Sequence, residues 1–173
     1  MKFAPRCINI YLLMGALVLV SACKSPEERK HSRELSTIRI HLEVNADNTG
    51  RNTPVPIFRE RPVFVNVDRA PFLDETYVER AWVEDSLGSH VIRIQFNPTG
   101  RALLEGVTGS NKGRRLAVGC QFPEPRWLGA PVITQHIADG VLTFTPDATR
   151  EEAERIVRGL NNAAAKLKKA SNI

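Results

Sequence analysis

The stretch from Val91 to Leu160 restricts the fold more than any other, because its hydrophobic period changes several times over short distances. Ile92, Ile94 and Phe96 alternate with Arg93 and Gln95, the two-residue period of a strand with one buried face. Asn97-Pro98 then marks a helix start. Asn97 can cap a free N–H, and Pro98 sits where its missing N–H costs nothing. Leu103, Leu104 and Val107 follow at helical spacing, and the helix should stop near Gly109 to Asn111, with Gly113 permitting the turn. Leu116, Val118, Cys120 and Phe122 restore the period of two, so Cys120 points with large apolar residues and reads as a buried structural thiol. Val132-Ile133 and Val141 to Thr145 make two more short strands, with a turn at Asp139-Gly140.

Thr149 and Glu152 form a capping box before a last helix, whose Ala153, Ile156, Val157, Leu160, Ala164 and Leu167 share a face. Glu151 and Glu152 at its start and Lys166, Lys168 and Lys169 at its end match the helix dipole. Gly159 inside it costs about 1 kcal/mol relative to Ala, which points to close packing on the sheet. The order strand-helix-strand-strand-strand-helix predicts an α+β fold, with two helices packed on one face of a mostly antiparallel sheet.

Upstream, Ile38, Ile40, Leu42 and Val44 alternate with Arg39, His41, Glu43 and Asn45, another half-buried strand, which places His41 on the polar face. Ala46 to Thr53 is rich in turn formers. Val55 to Phe58 and Val63 to Val67 read as short strands, and a single helical turn is expected near Asp74 to Val78. A strand then runs through Trp82 and Val83 to a hairpin turn at Leu87-Gly88-Ser89.

The N-terminal segment has a different composition. Lys2 and Arg6 precede an apolar run from Ile8 to Val20, interrupted by Asn9, which suits an export signal and is short for a bilayer span. Ser21-Ala22 supplies small residues directly before Cys23, and LVLVSAC resembles the lipobox of bacterial lipoproteins. That resemblance implies removal of residues 1–22 and lipidation of the Cys23 sulfur. The expected location is therefore the cell envelope, on the periplasmic side of the inner or outer membrane. Several acyl chains anchor stably where one does not. Residues 23–35 are charged, contain Pro26 and read as a tether, leaving one domain over 36–170.

The formal net charge of +5 loses Lys2 and Arg6 with the signal, and the remaining +3 is too small to argue nucleic-acid binding. Cys7, Cys23 and Cys120 match no metal or redox spacing. His31, His41, His90 and His136 occur singly, and Ser86, Ser89 and Ser110 lack a nucleophile-elbow context. No catalytic residue, metal ligand or cofactor is expected. Lys112, Arg114 and Arg115 form a basic cluster that reads as a solvated loop.

NKGRRLAV (111–118), APVI (130–133), IADGVLTF (137–144) and TREEAERIVRGL (149–160) resemble the head subdomain of the first periplasmic domain of SecD/SecDF, with the approach to that head over Pro62 to Val83. The resemblance covers 62–160. It implies an accessory role in protein export, the head engaging translocating chains. The 173 residues hold no multi-helix membrane part, so the proton-driven motor is not implied. Gly119-Cys120-Gln121 stands where the family usually continues into a hydrophobic-Asp-Gly turn.

The expected contact surface is the loop Phe122 to Pro131, with Arg126, Trp127 and Leu128 as partner contacts, since an aromatic in a Pro-rich loop is a common anchor. The alternative is that Trp127 covers the sheet edge. The sequence reads as a non-catalytic, lipid-anchored binding module for envelope proteins or exported chains. Two alternatives stand beside it: a structural lipoprotein of an envelope complex, and an envelope hydrolase with a dispersed site.

Overall fold

A computed structural model of the chain describes residues 31, 33–47, 50–86 and 88–170. The expected signal, Cys23 and most of the tether lie outside them. The chain divides into two units between Ser32 and Arg33, and the fold lies in the second. It is α+β, with three antiparallel sheets and two helices.

β1 (Thr37–Leu42) is an inner strand of a four-stranded sheet ordered β4-β1-β7-β8, with β4 at Leu73–Asp74, β7 at Leu116–Gln121 and β8 at Pro125–Gly129. β5 (Val78–Ser86), β6 (Ser89–Phe96) and β9 (Val141–Phe144) form a second sheet in that order. β2 (Asn52–Ile57) and β3 (Val63–Asp68) make a separate hairpin. Helix α1 spans Pro98–Ser110 and α2 spans Arg150–Ala170. A 3-10 turn over Glu75–Tyr77 is capped by Asp74, whose Oδ1 accepts from Thr76 N–H at 2.9 Å.

The alternating residues meet in one main core. Ile38 and Ile40 of β1, Ile92, Ile94 and Phe96 of β6, and Leu116, Val118 and Cys120 of β7 are all buried in it. Leu104 of α1 and Ala153, Ile156, Val157, Leu160 and Ala164 of α2 supply the helical side. Burying side chains of this size stabilises the fold by about 1.5–3 kcal/mol each. Leu103 and Leu167, at the margins of the helical stripes, are 38% and 40% exposed.

The helix starts follow the capping chemistry. Asn97 Oδ1 accepts from Gly100 N–H at 2.9 Å, with Pro98 in the first turn. Glu152 N–H donates to Thr149 Oγ1 at 3.2 Å, while the Glu152 carboxylate is drawn to Arg126. Gly159 does mark a close approach, but to the chain leading into β1 rather than to a sheet: a Cβ there would lie 2.3 Å from Ser36 Oγ and 2.7 Å from Ser36 N.

Three expectations change. Val132-Ile133 is not a strand; only the Arg115–Val132 bridge forms, with Ile133 N–H donating to Arg114 O at 2.8 Å. Glu34 belongs to the domain rather than to a tether. Arg155 Nε and Arg158 Nε meet its carboxylate at 3.1 and 2.9 Å, and Asn162 Nδ2 donates to its carbonyl at 3.0 Å. His41 is buried, at 8% exposure, because the β2–β3 hairpin lies over the outer side of the first sheet.

That hairpin creates a second, smaller core. Val55, Ile57, Val65 and Val67 pack with Ala117 and Ala130, and Trp127 lies against them. The two valine-rich faces need apolar cover, and the small Ala117 on β7 lets the hairpin approach closely.

Candidate functional site

The hairpin covers only part of the sheet's outer face, and the remainder is a groove of about 400 Å³. Thr37, Arg39 and His41 of β1 line it, with Gly119 and Gln121 of β7 and Pro125 and Trp127 of β8. Register explains the set. Thr37 pairs with Gln121, Arg39 with Gly119 and His41 with Ala117, so alternate residues point outward together. Gly119 pairs in turn with Trp127. With no side chain at Gly119, the indole lies across it: a Cβ would meet ring carbons at 3.4 and 3.5 Å.

Trp127 sits in a strand, not in a loop, and is half-buried. Its ring meets His41 edge to face, with centroids 5.3 Å apart and planes at 68°. His41 Nδ1 lies 2.8 Å from Asp68 O. A carbonyl only accepts, so Nδ1 carries the proton there and the ring is held between β3 and β8. Trp127 is thus chiefly a packing residue at the groove's wall, with part of its surface free.

Of the two neighbouring expected contacts, Arg126 lines the groove with its guanidinium turned to internal partners, whereas Leu128 lies away from it. Leu128 is fully buried in the main core. Side chains alternate along β8, so with Trp127 outward opposite Gly119 its neighbour Leu128 points inward. Arg126 is committed internally. Its Nη2 lies 2.6 Å from Glu152 Oε1, its Nη1 donates to Asp147 O at 2.9 Å, and its side chain is 16% exposed. Arg59 joins the same network, with its backbone N–H on Asp147 Oδ2 at 2.9 Å and its Nη2 3.6 Å from Glu152 Oε2. Residues far apart in sequence thereby lock the hairpin turn, β8 and the start of α2 together, and no local sequence pattern announces it.

Arg39 is exposed and, among the described residues, has no ion-pair partner. With the Thr37 hydroxyl and the Gln121 carboxamide, it gives the groove hydrogen-bonding groups suited to an extended peptide. No acid–base pair or activated nucleophile accompanies them. The Cys120 thiol is buried on the other side of β7, and burial is the main force pushing its pKa up to about 12.

Other candidates resolve into structure. Arg115 N–H donates to Glu43 Oε2 at 2.7 Å, Arg115 Nη1 to Ala130 O at 3.2 Å and Arg114 Nη1 to Glu43 O at 3.2 Å, so two of the three basic-cluster residues hold strands in place. His136 Nε2 is 3.4 Å from Glu105 Oε1 at the surface, beside a second concavity of about 480 Å³ along 131–139. Among the described residues, no three His, Cys, Asp or Glu side chains surround a common point, and no helix is long and apolar enough to cross a membrane.

No protein-family model matches this chain, and no curated protein matches it. Solved structures do. One is SecDF, described as a membrane component that enhances protein export; it aligns with a TM-score of 0.55 and 20% identity over 82% of this chain and 70% of that one. A second, SecDF in its super-membrane-facing form, aligns with the same TM-score and identity over 80% of this chain but only 21% of that one. At this identity the likeness establishes the fold: an α+β arrangement similar to part of SecDF.

Proposed function

We propose that this protein is an envelope module, held to a membrane by lipid on Cys23, that binds extended segments of exported or other envelope proteins without catalysing a reaction. The observation that carries the reading is the likeness of 82% of the chain to SecDF, a component that enhances protein export. The groove on the first sheet supports it. Its cation, hydroxyl, carboxamide and partly exposed indole suit main-chain and side-chain contacts with an unfolded segment. The run LVLVSAC supports the anchor, since small residues precede a thiol that can form the thioether.

The test is site-specific photocrosslinking in intact cells, with the probe at Gln121 on the groove floor and a control probe at Lys169. Crosslinks from position 121 to a translocation-arrested exported chain, with none from 169, are the expected result. Labelling of resident proteins alone would favour a structural role in an envelope complex. An absence of adducts at 121 would overturn the binding reading. The anchor is tested separately: Cys23→Ser should accumulate as a precursor that takes up no labelled fatty acid, and normal processing of that variant would sink it.

A further inference from the structure

The end of the β2–β3 hairpin is unlike the rest of the surface. Phe58, Val63 and Phe64 are 42%, 50% and 69% exposed, three of the seven large apolar side chains that are exposed among the described residues. They stand within seven positions of one another, around the turn Arg59 to Pro62. Phe58 also has a φ of 69°. Gly meets such a left-handed turn position without steric cost, whereas a bulky side chain is an outlier there. Turn stability therefore does not account for an exposed Phe at this point.

The turn is tied to the body of the domain. Arg59 joins it to Asp147 and Glu152 at the start of α2. One helical turn further along, Arg155 holds Glu34, where the chain enters the domain. Arg158 and Asn162 hold Glu34 too, so the apolar tip is tied to the first turn of α2 and the N-terminal end of the domain to the middle of the same helix. Between Cys23 and Arg33 there are only ten residue steps, each spanning at most about 3.5 Å, so the chain can separate them by no more than about 35 Å. Lipid on Cys23 lies within that reach.

We propose that the hairpin tip, through Phe58, Val63 and Phe64, docks into the surface of the membrane to which the N-terminal segment is attached. The rest of the tip fits that occupant. Arg59, Glu60 and Arg61 are the charged groups at the turn, and Asp147 and Glu152 meet the charge of Arg59. Glu60 and Arg61 remain exposed, and Arg61 offers a guanidinium to a phosphate headgroup beside the buried rings. A protein strand is a poorer fit. Pro54 and Pro56 remove two donors from β2, and proline is tolerated in a strand only where its nitrogen faces away from the paired neighbour. The docked tip would fix the domain's orientation on the bilayer rather than leave it to swing on a tether. The proposal shares with the functional reading only the premise of a nearby membrane.

The test uses the full chain, expressed and processed in cells, on vesicles of phosphatidylethanolamine and phosphatidylglycerol, with an environment-sensitive fluorescent amino acid at position 60. The expected result is a blue-shifted emission, quenched by lipids spin-labelled near the headgroup. Quenching should be lost in the Phe58→Ser/Val63→Ser/Phe64→Ser variant, although that variant still floats with the vesicles. If the triple variant fails to fold, by circular dichroism, Phe64→Ser alone serves, since that side chain is 69% exposed. A water-like, unquenched probe on protein that floats with the vesicles would overturn the proposal and leave a protein partner as the occupant of the tip. The anchor fails separately: Cys23→Ser protein that is processed and floats like wild type contradicts lipidation, and the quenching result stands whatever the outcome.

Discussion

Asn161 replaces a missing strand at the edge of β5: its Oδ1 accepts from Ala81 N–H at 2.8 Å, and its Nδ2 donates to Ala81 O at 2.9 Å. The pair falls beside a register shift between Val78 and Arg80, where β5 bends away from regular pairing with β6. A single carboxamide presents the acceptor and donor that a neighbouring residue would present, and it ties α2 to the strand it packs on.

Asn161→Leu should destabilise the domain by about 2 kcal/mol, because both Ala81 backbone groups lose their partners at a part-buried position. Asn161→Asp keeps the acceptor but sets a carboxylate against the Ala81 carbonyl, so it should be no better. Chemical denaturation reads both. A midpoint unchanged in either variant would show that water replaces the carboxamide without loss.

Gly159→Ala tests the other close contact of α2. Helix propensity alone would make the substitution favourable by about 1 kcal/mol. The new Cβ would lie 2.7 Å from Ser36 N and 3.0 Å from Leu35 C, and backbone cannot swing aside as a side chain can. The clash should win, with a net loss of about 1–3 kcal/mol. A raised melting temperature in Gly159→Ala would mean that residues 35–36 yield freely.

Glu34 gives the fold a pH dependence. Burial opposes its charge, but hydrogen bonds from Arg158 and Arg155 outweigh that, and its pKa falls below the ordinary 4.5. Because the folded value is the lower one, the carboxylate's contribution is fully present above about 4.5 and is lost as pH drops through the folded value. Glu34→Gln should therefore be less stable than wild type at pH 7, and the gap should close at the acid end. A gap independent of pH down to 3 would show that the pairing contributes through its hydrogen-bonding shape alone.

Much of this architecture was legible because it rests on local chemistry. Asn97-Pro98 announces α1, the alternation from Leu116 to Phe122 announces β7, and the Ile156–Leu160 stripe announces the buried side of α2. What escaped has a common cause: the sequence pattern shows that a face wants cover, not what covers it. Val55, Ile57, Val65 and Val67 ask for an apolar partner, yet nothing local says that they close over Ala117 and bury His41. The groove escaped for the same reason. Its residues come from three strands, and only the register of β1 against β7 brings Arg39 beside Gly119 and Trp127. Reading Trp127 as a loop anchor failed because Pro125–Gly129 pairs with β7 as a strand, whose alternation sends Arg126 and Leu128 to the inner face.

The position of Trp127 decides how the groove must be probed. Its ring packs on the second core, crosses Gly119 and meets His41, while part of it stays open to solvent. Trp127→Ala should therefore cost about 2–3 kcal/mol, short of the 3–5 kcal/mol typical of a fully buried aromatic. Trp127→Phe should recover much of that, since the smaller ring can still cover Ala117 and the hairpin valines. Any loss of peptide capture in Trp127→Ala would then mix weakened folding with lost contact. Arg39→Ala and Gln121→Ala avoid the confusion: both side chains are exposed, so each should shift stability by no more than about 0.5 kcal/mol. If the groove binds extended chains, these two variants should reduce crosslinking while their denaturation midpoints match wild type. Full capture in both, together with a Trp127→Ala protein that unfolds earlier, would assign the indole to packing alone and move the binding surface elsewhere.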